Sequence, residues 1–388
     1  MTFYEFGKYA TGVLAFAAIL RYGVWHRAKK LPILYFSLLL PSLAVLPYFD
    51  RQRIAFNLSG PFALALAATF LSTVQLRKED LQWIYLAILG PAIGLAALAL
   101  SSTLALKTID FAVSSSETSA GIGADQVSSV LGLGALVAFL YCFTKLRYRF
   151  LLYLMAGLFL WLGAQSVLTF ARGGLWTMVG AVAVASFYFL RERGSRGALI
   201  VRGGLLVVAA VFLVYPFLDQ ISGGSVSRRF ESFNSSGRTQ IAQADLEAFE
   251  EHPIFGLGPG QSLYFHAEVF RLSNAHTEFS RMLSEHGSFG LAAFVIMLIM
   301  AAGNGLKQKN KKSRGLAFSF TAWGLLFMLH SAMRLVAPSF LFGLGMAKLM
   351  PEEEPAPRPK RGQAPLAALP ARSQRHVRHR RTRLQRRY

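Results

Sequence analysis

Residues 274–287 read NAHTEFSRMLSEHG, two histidines, two glutamates and an arginine in one short run of a mostly apolar chain. Such side chains can hold a metal, move a proton or pair with an anion. The histidines are ten residues apart with no His-Glu-x-x-His register, which argues against zinc. On a helix from about Thr277, Glu278, Arg281 and Glu285 lie three and four residues apart and read as a charge ladder on a solvated face. Phe279, Met282, Leu283 and His286 share another face, and His286 abuts Gly287 at the start of an apolar run, as an interfacial or core histidine does. His276 precedes the helix beside Asn274. An imidazole there, with an ordinary pKa of about 6.5, is either a general base or a hydrogen-bonded loop histidine.

The elements that must position these groups are membrane helices. The chain has 388 residues, 53% hydrophobic and 16% charged, with a mean hydropathy of +0.40, too apolar for an ordinary soluble domain. Apolar runs long enough to cross about 30 Å of hydrocarbon as helices recur along it. They cover 9–25, 31–48, 54–76, 81–106, 127–144, 150–170, 174–190, 198–218, 287–304, 315–333 and 335–350, about eleven spans. The first lacks a signal-peptide cleavage site and is expected to be retained. The lone Cys142 excludes an intrachain disulfide and a cysteine zinc cluster.

The net charge of +21 would suggest a nucleic-acid partner in a soluble chain, but here its distribution matters more. Lys/Arg clusters at 21–30, 77–78, 145–149, 191–196 and 307–314 occupy alternate connections and mark a cytoplasmic side. Connections 107–126 and 219–286 then lie outside, with the N-terminus outside and the C-terminus inside; Arg51 and Arg53 fit this arrangement least. Residues 351–388 are proline-rich, then arginine-rich, and are expected to form a disordered basic cytoplasmic tail. That tail either attracts anionic lipids of the inner leaflet or is a solvated end that reinforces orientation.

Polar groups collect in the loop 219–286. SSGRTQIAQADLEAFEEHP reads as an amphipathic helix capped by Ser235 or Ser236 and stopped by Pro253, with an apolar stripe of Ile241, Ala244, Ala248 and Phe249. Asp245, Glu247, Glu250 and Glu251 are expected mainly on its solvated faces. Arg238 falls in the first turn, where the helix dipole disfavours a cation; it either binds an anion such as phosphate or is a plain surface arginine. IFGLGPG, residues 254–260, lacks the strand and the Gly-Lys-Ser/Thr of a nucleotide loop and reads as a tight turn. Arg172, in SVLTFARGGLWTM, sits at an outer membrane boundary, where an arginine either snorkels to headgroups or holds an anion.

An ARGG turn between two spans, then a long outside loop with GRT, a helix, HPIFGLGPG and AHTEFSRMLSEHG leading into a span, resembles the bacterial O-antigen ligase and O-antigen polymerase family over about residues 150–300. The family usually has twelve transmembrane helices with both ends inside, where hydropathy and charge here give eleven and an outside N-terminus; the expected fold is an all-α, polytopic helical membrane protein of about 11–12 transmembrane helices with one long, partly helical extracytoplasmic loop. The transmembrane domain would be 1–350, including a catalytic loop 219–286. It also implies the bacterial inner membrane, with the active site on the periplasmic face, and a glycan donor on undecaprenyl diphosphate. The acceptor would be lipid A core or another glycan. Arg172 and Arg238 match the family's donor-diphosphate arginines, and His276 matches the histidine proposed to activate the acceptor hydroxyl. Ala171 replaces the usual serine and Thr277 the usual asparagine.

The chemistry so implied is inverting. The arginines stabilise the leaving diphosphate while His276 takes the acceptor proton. No Asp-x-Asp cluster occurs in the outside loops, so a metal-independent reaction is expected, with no cofactor. Arg271, Arg281, His330 and Arg334 are further candidates for the cavity, each otherwise an interfacial anchor. Ligase and polymerase share this donor chemistry. A transporter or lipid-carrier flippase would need charged or broken segments at mid-membrane, where there is little beyond Gln165 and Pro91. A scaffold protein would not require Arg172, Arg238 and His276 to converge.

Overall fold

Hydrocarbon offers backbone amides no partner, so each apolar run must satisfy its own hydrogen bonds as a helix. A computed structural model describes residues 3–21, 30–47, 49–105, 117–143, 149–231, 237–269, 275–333 and 336–349. These fall in one compact unit, Met1–Pro351. The basic tail, Arg271 and Arg334 lie outside the described residues.

The helices are α1 (Phe3–Arg21), α2 (Leu31–Ser37), α3 (Arg51–Leu71), α4 (Lys78–Ala105), α5 (Ala124–Cys142), α6 (Arg149–Leu168) and α7 (Arg172–Leu190). Next come α8 (Arg193–Ala198), α9 (Gly204–Ala209) and α10 (Tyr215–Ile221), joined by π-helical turns into one apolar rod. The long loop holds α11 (Ser225–Glu231), α12 (Arg238–Glu251) and α13 (Ser262–Val269); α14 (Glu278–Lys307), α15 (Lys311–Met328) and α16 (Val336–Met346) follow. A two-residue parallel pair, β1 (Gln75–Leu76) with β2 (Lys348–Leu349), is the only sheet among the described residues. Seven helices among those residues are long and apolar enough to span: α3 to α7, Arg196–Ile221 and α14. The chain is a polytopic helical membrane protein.

Shorter apolar helices, Ala10–Arg21, Leu31–Val45 and Val336–Met346, lie in three more of the expected segments. Segment 31–48 is broken into α2 and a 3-10 turn, Pro41–Val45, because Pro41 has no amide to continue the helix. Segment 335–350 contains only the 11 residues of α16 before β2 begins. α15 starts with Lys311, Lys312 and Arg314, which lower its hydropathy.

α5 is the central helix, buried almost all round against α4, α6 and α7. Small residues allow this: a Cβ on Gly132 would come within 2.5 Å of the Gly174 carbonyl oxygen. At one end of the bundle, cations cap the carbonyls that the helix ends leave open. Lys312 Nζ donates to Phe143 O at 2.6 Å, Arg202 Nη1 to Cys142 O at 2.8 Å and Lys311 Nζ to Arg191 O at 3.0 Å. The first turns of α5, α7 and α14 gather at the other end.

α14 is two helices in one. Gly287 has φ 58° and ψ −139°, and the chain turns so sharply that a Cβ on Gly290 would strike the Met282 carbonyl. The kink therefore falls where the apolar run from 287 begins, and 278–286 packs beneath the long loop. Leu257 N donates to Ser284 O at 2.8 Å, Gly258 N to Glu285 O at 3.0 Å and Ser288 N to Pro253 O at 2.8 Å. The glycine-rich segment is thus the tight turn its composition predicts. Gly256, Gly258 and Gly260 all have positive φ.

Candidate functional site

Arg172 opens α7 after a turn in which buried Phe170 takes the left-handed φ of 55°. That turn is tied to α5, since Ser128 Oγ donates to Ala171 O at 2.7 Å. The two glycines after Arg172 admit close neighbours. A Cβ on Gly174 would lie 2.2 Å from the Ser128 carbonyl, and one on Gly173 would lie 2.4 Å from His330 Nδ1. His330 Nε2 meets Thr177 Oγ1, one turn along α7, at 3.1 Å. Its buried Nδ1 has no hydrogen-bond partner among the described residues.

Arg238 opens α12. Its N-cap is Gly237, at φ 80° and without a side-chain cap, in place of the expected Ser235 or Ser236, which lie outside the described residues. A cation in a first turn is opposed by the helix dipole, and the compensation comes from another helix. Arg238 Nη2 donates to Asp125 Oδ2 at 2.6 Å, and Asp125 lies in the first turn of α5, one turn before Ser128. One turn of α5 therefore holds both the Arg172 turn and Arg238.

His276 immediately precedes Thr277, the N-cap of α14, whose Oγ1 accepts from Ser280 N at 3.1 Å. Thr277 thus caps α14 with its own hydroxyl. Ser280 Oγ donates to Asp245 Oδ2 at 2.6 Å. Asp245 lies on α12, seven residues and about 10 Å beyond Arg238 by helical rise. Ser284 Oγ at 2.7 Å and His266 Nε2 at 2.9 Å donate to its other oxygen. Glu278 Oε2 accepts from Met333 N at 2.9 Å, three residues after His330. The contacts close a circuit: Arg172 turn, α5, Arg238, Asp245, His276 turn, Met333, His330 and back to α7. Arg172, Arg238, His276 and His330 are all part-exposed on it.

Two expectations are corrected here. The ladder Glu278, Arg281 and Glu285 is not solvated but fully enclosed. Arg281 Nη2 donates to Glu278, its Nε reaches Glu278 Oε2 at 3.1 Å, and Nη1 reaches Glu285 Oε2 at 2.7 Å. Glu285 also accepts from Ser262 Oγ at 2.8 Å. The loop 253–262 and the Met333 segment cover this face, so its charges had to be mutually paired. Arg281 thereby serves two buried carboxylates. Asp245 is likewise buried and not solvated. Its spacing carried the signal: Ile241, Ala244, Asp245 and Ala248 stand at i, i+3, i+4 and i+7, a single buried stripe. His286 is a core histidine, with Ser42 Oγ 2.7 Å and Leu39 O 3.1 Å from its Nδ1.

Chemically, the circuit offers two guanidinium groups and two imidazoles around one end of the bundle. Among the described residues no group of three or more His, Cys, Asp or Glu could hold a metal ion.

The family model described as O-antigen ligase matches residues 157–295. The match lies within the stretch of about residues 150–300 that resembles this family, and it includes Arg172, Arg238 and His276. No curated protein matches the chain.

Proposed function

We propose that this chain, similar to O-antigen ligase over residues 157–295, is a membrane glycosyltransferase. It moves a glycan from undecaprenyl diphosphate to an acceptor hydroxyl at the outer face of the bacterial inner membrane. The acceptor is lipid A core or another glycan. The observation that carries this reading is the closed circuit of contacts linking the Arg172 turn, Arg238 and the His276 turn.

In the proposed reaction the acceptor oxygen attacks the anomeric carbon opposite the leaving group. A C–O bond forms, the bond from carbon to the phosphate oxygen breaks with its electron pair leaving on the diphosphate, and configuration inverts. Negative charge grows on that diphosphate, so Arg172 and Arg238 bind the transition state more strongly than the ground state. His276 takes the hydroxyl proton. The arginines supply the charge that a metal would otherwise bring, and the reaction is metal-independent.

The test is to delete the gene in its host, restore it with wild type or His276→Ala, and examine surface glycans. Wild type should restore them, and the variant should not although it reaches the membrane. Lost capping of lipid A with polymer intact marks a ligase, and single-repeat capping marks a polymerase. Normal glycans after deletion would overturn the function; normal glycans with the variant would overturn the base.

A further inference from the structure

At the opposite end of the bundle, a cavity of about 230 Å³ lies between the end of α14, the start of α15 and β2. Ser72, Asn304, Lys307, Lys309, Asn310 and Lys348 contribute to its lining, which contains no carboxylate among the described residues. We propose that this cavity binds a phosphate group, carried by an anionic phospholipid or by a soluble phosphate compound. The inference is independent of the glycan-transfer reading.

The walls are built and not merely adjacent. Gln308 Nε2 donates to Ala347 O at 2.7 Å and its Oε1 accepts from Leu349 N at 3.1 Å. Asn304 Nδ2 donates to Gly345 O, and Lys348 N donates to Val74 O at 3.0 Å. These bonds hold two segments of chain together, so that the exposed Lys307 and Lys309 of one and Lys348 of the other line one mouth.

Their arrangement differs from that of the neighbouring cations. Lys311, Lys312, Arg202 and Arg314 spend their donors on helix-end carbonyls. Lys307, Lys309 and Lys348 make no ion pair among the described residues and instead face a shared cavity. α15, 18 residues long, starts at the rim beside its N-cap Asn310, so its dipole adds positive potential. At about 230 Å³ the cavity has room for a phosphate group. Basic pockets between membrane helices at a headgroup boundary have the chemistry to bind such groups.

The experiment compares the purified full chain with a Lys307→Gln, Lys309→Gln, Lys348→Gln variant in detergent. Thermal unfolding is followed with added short-chain phosphatidylglycerol, phosphatidylcholine or inorganic phosphate. Phosphatidylglycerol should raise the wild-type Tm, and its apparent affinity should fall about tenfold or more in the variant. The arginine-rich tail is common to both proteins, so their difference reports the cavity. A shift with inorganic phosphate as well identifies a soluble ligand; a shift with phosphatidylglycerol alone identifies the lipid. Equal shifts in both proteins, or equal shifts with phosphatidylcholine, overturn the proposal. If the triple variant does not fold, Lys348→Gln alone is read by the same criteria.

Discussion

Arg238 Nη2 lies 2.6 Å from the carboxylate of Asp125, across 113 residues of sequence. The pair joins the first turn of a loop helix to the first turn of the central membrane helix. Both partners are about a third exposed, so the pair adds only about 0–1 kcal/mol of stability. Arg238→Ala should therefore leave thermal unfolding nearly unchanged while glycan transfer falls by about 100-fold or more. A loss of folding that matches the loss of transfer would reduce Arg238 to a structural role.

The same geometry makes Asp125 a competitor for the arginine. Asp125→Asn should lower the KM for the lipid-linked donor and leave kcat largely intact, because a diphosphate then meets an unneutralised guanidinium. Steady-state kinetics in detergent or nanodiscs would read this. A raised KM would mean that Asp125 serves to aim Arg238.

Asp245 holds the arginine helix to the histidine turn. Asp245→Ala strands three buried donors, at about 1.5–3 kcal/mol for each bond to a charged acceptor, and should unfold well below wild type. Asp245→Asn keeps one acceptor oxygen and should fold, but with kcat reduced and donor KM little changed. Wild-type kcat in Asp245→Asn would exclude a role in positioning His276.

Arg281 is the counter-ion of two enclosed carboxylates. Arg281→Met should cost about 3–5 kcal/mol, because it leaves Glu278 and Glu285 buried without a cation. Adding Glu278→Gln and Glu285→Gln should recover much of that loss. Thermal unfolding of the single and triple variants decides the matter. A stable single variant would mean that water reaches the site.

Two glycines with nearly equal φ separate backbone strain from crowding. Gly256, at φ 70°, would place a Cβ 2.5 Å from the Glu285 carbonyl carbon and the His286 nitrogen; Gly121, at φ 73°, has nothing within 4 Å. Gly121→Ala should cost about 1 kcal/mol, the penalty of the left-handed region alone. Gly256→Ala should cost more and should also reduce transfer, by lifting the loop from the helix that follows His276. Equal melting points for the two variants would remove the packing argument.

What could be read along the chain was whatever depends on local composition. Hydropathy summed over about 20 residues identified the membrane helices, because bilayer thickness imposes that length on any span. It also places the start of the apolar run of α14 at 287, where the backbone kinks. The tight glycine turn and the core role of His286 were legible for the same reason: each follows from a few adjacent residues. At 31–48 and 335–350 the run is apolar throughout, but helix breaks that hydropathy does not register shorten the helices within it.

Burial of charge was decided by the tertiary structure alone. Glu278, Arg281 and Glu285 have a spacing that suits either a solvated face or a paired interior, and only the loop 253–262 folding over them selects the interior. Asp245 stood on an apolar stripe, but its charge argued it outward until Ser280, Ser284 and His266 supplied donors from two other helices. The sequence by itself determined a bundle of membrane helices and nominated Arg172, Arg238 and His276. Only the fold could bring their turns into one circuit, because a hydrogen bond requires a separation of about 3 Å and separation in space is not a property of spacing in sequence.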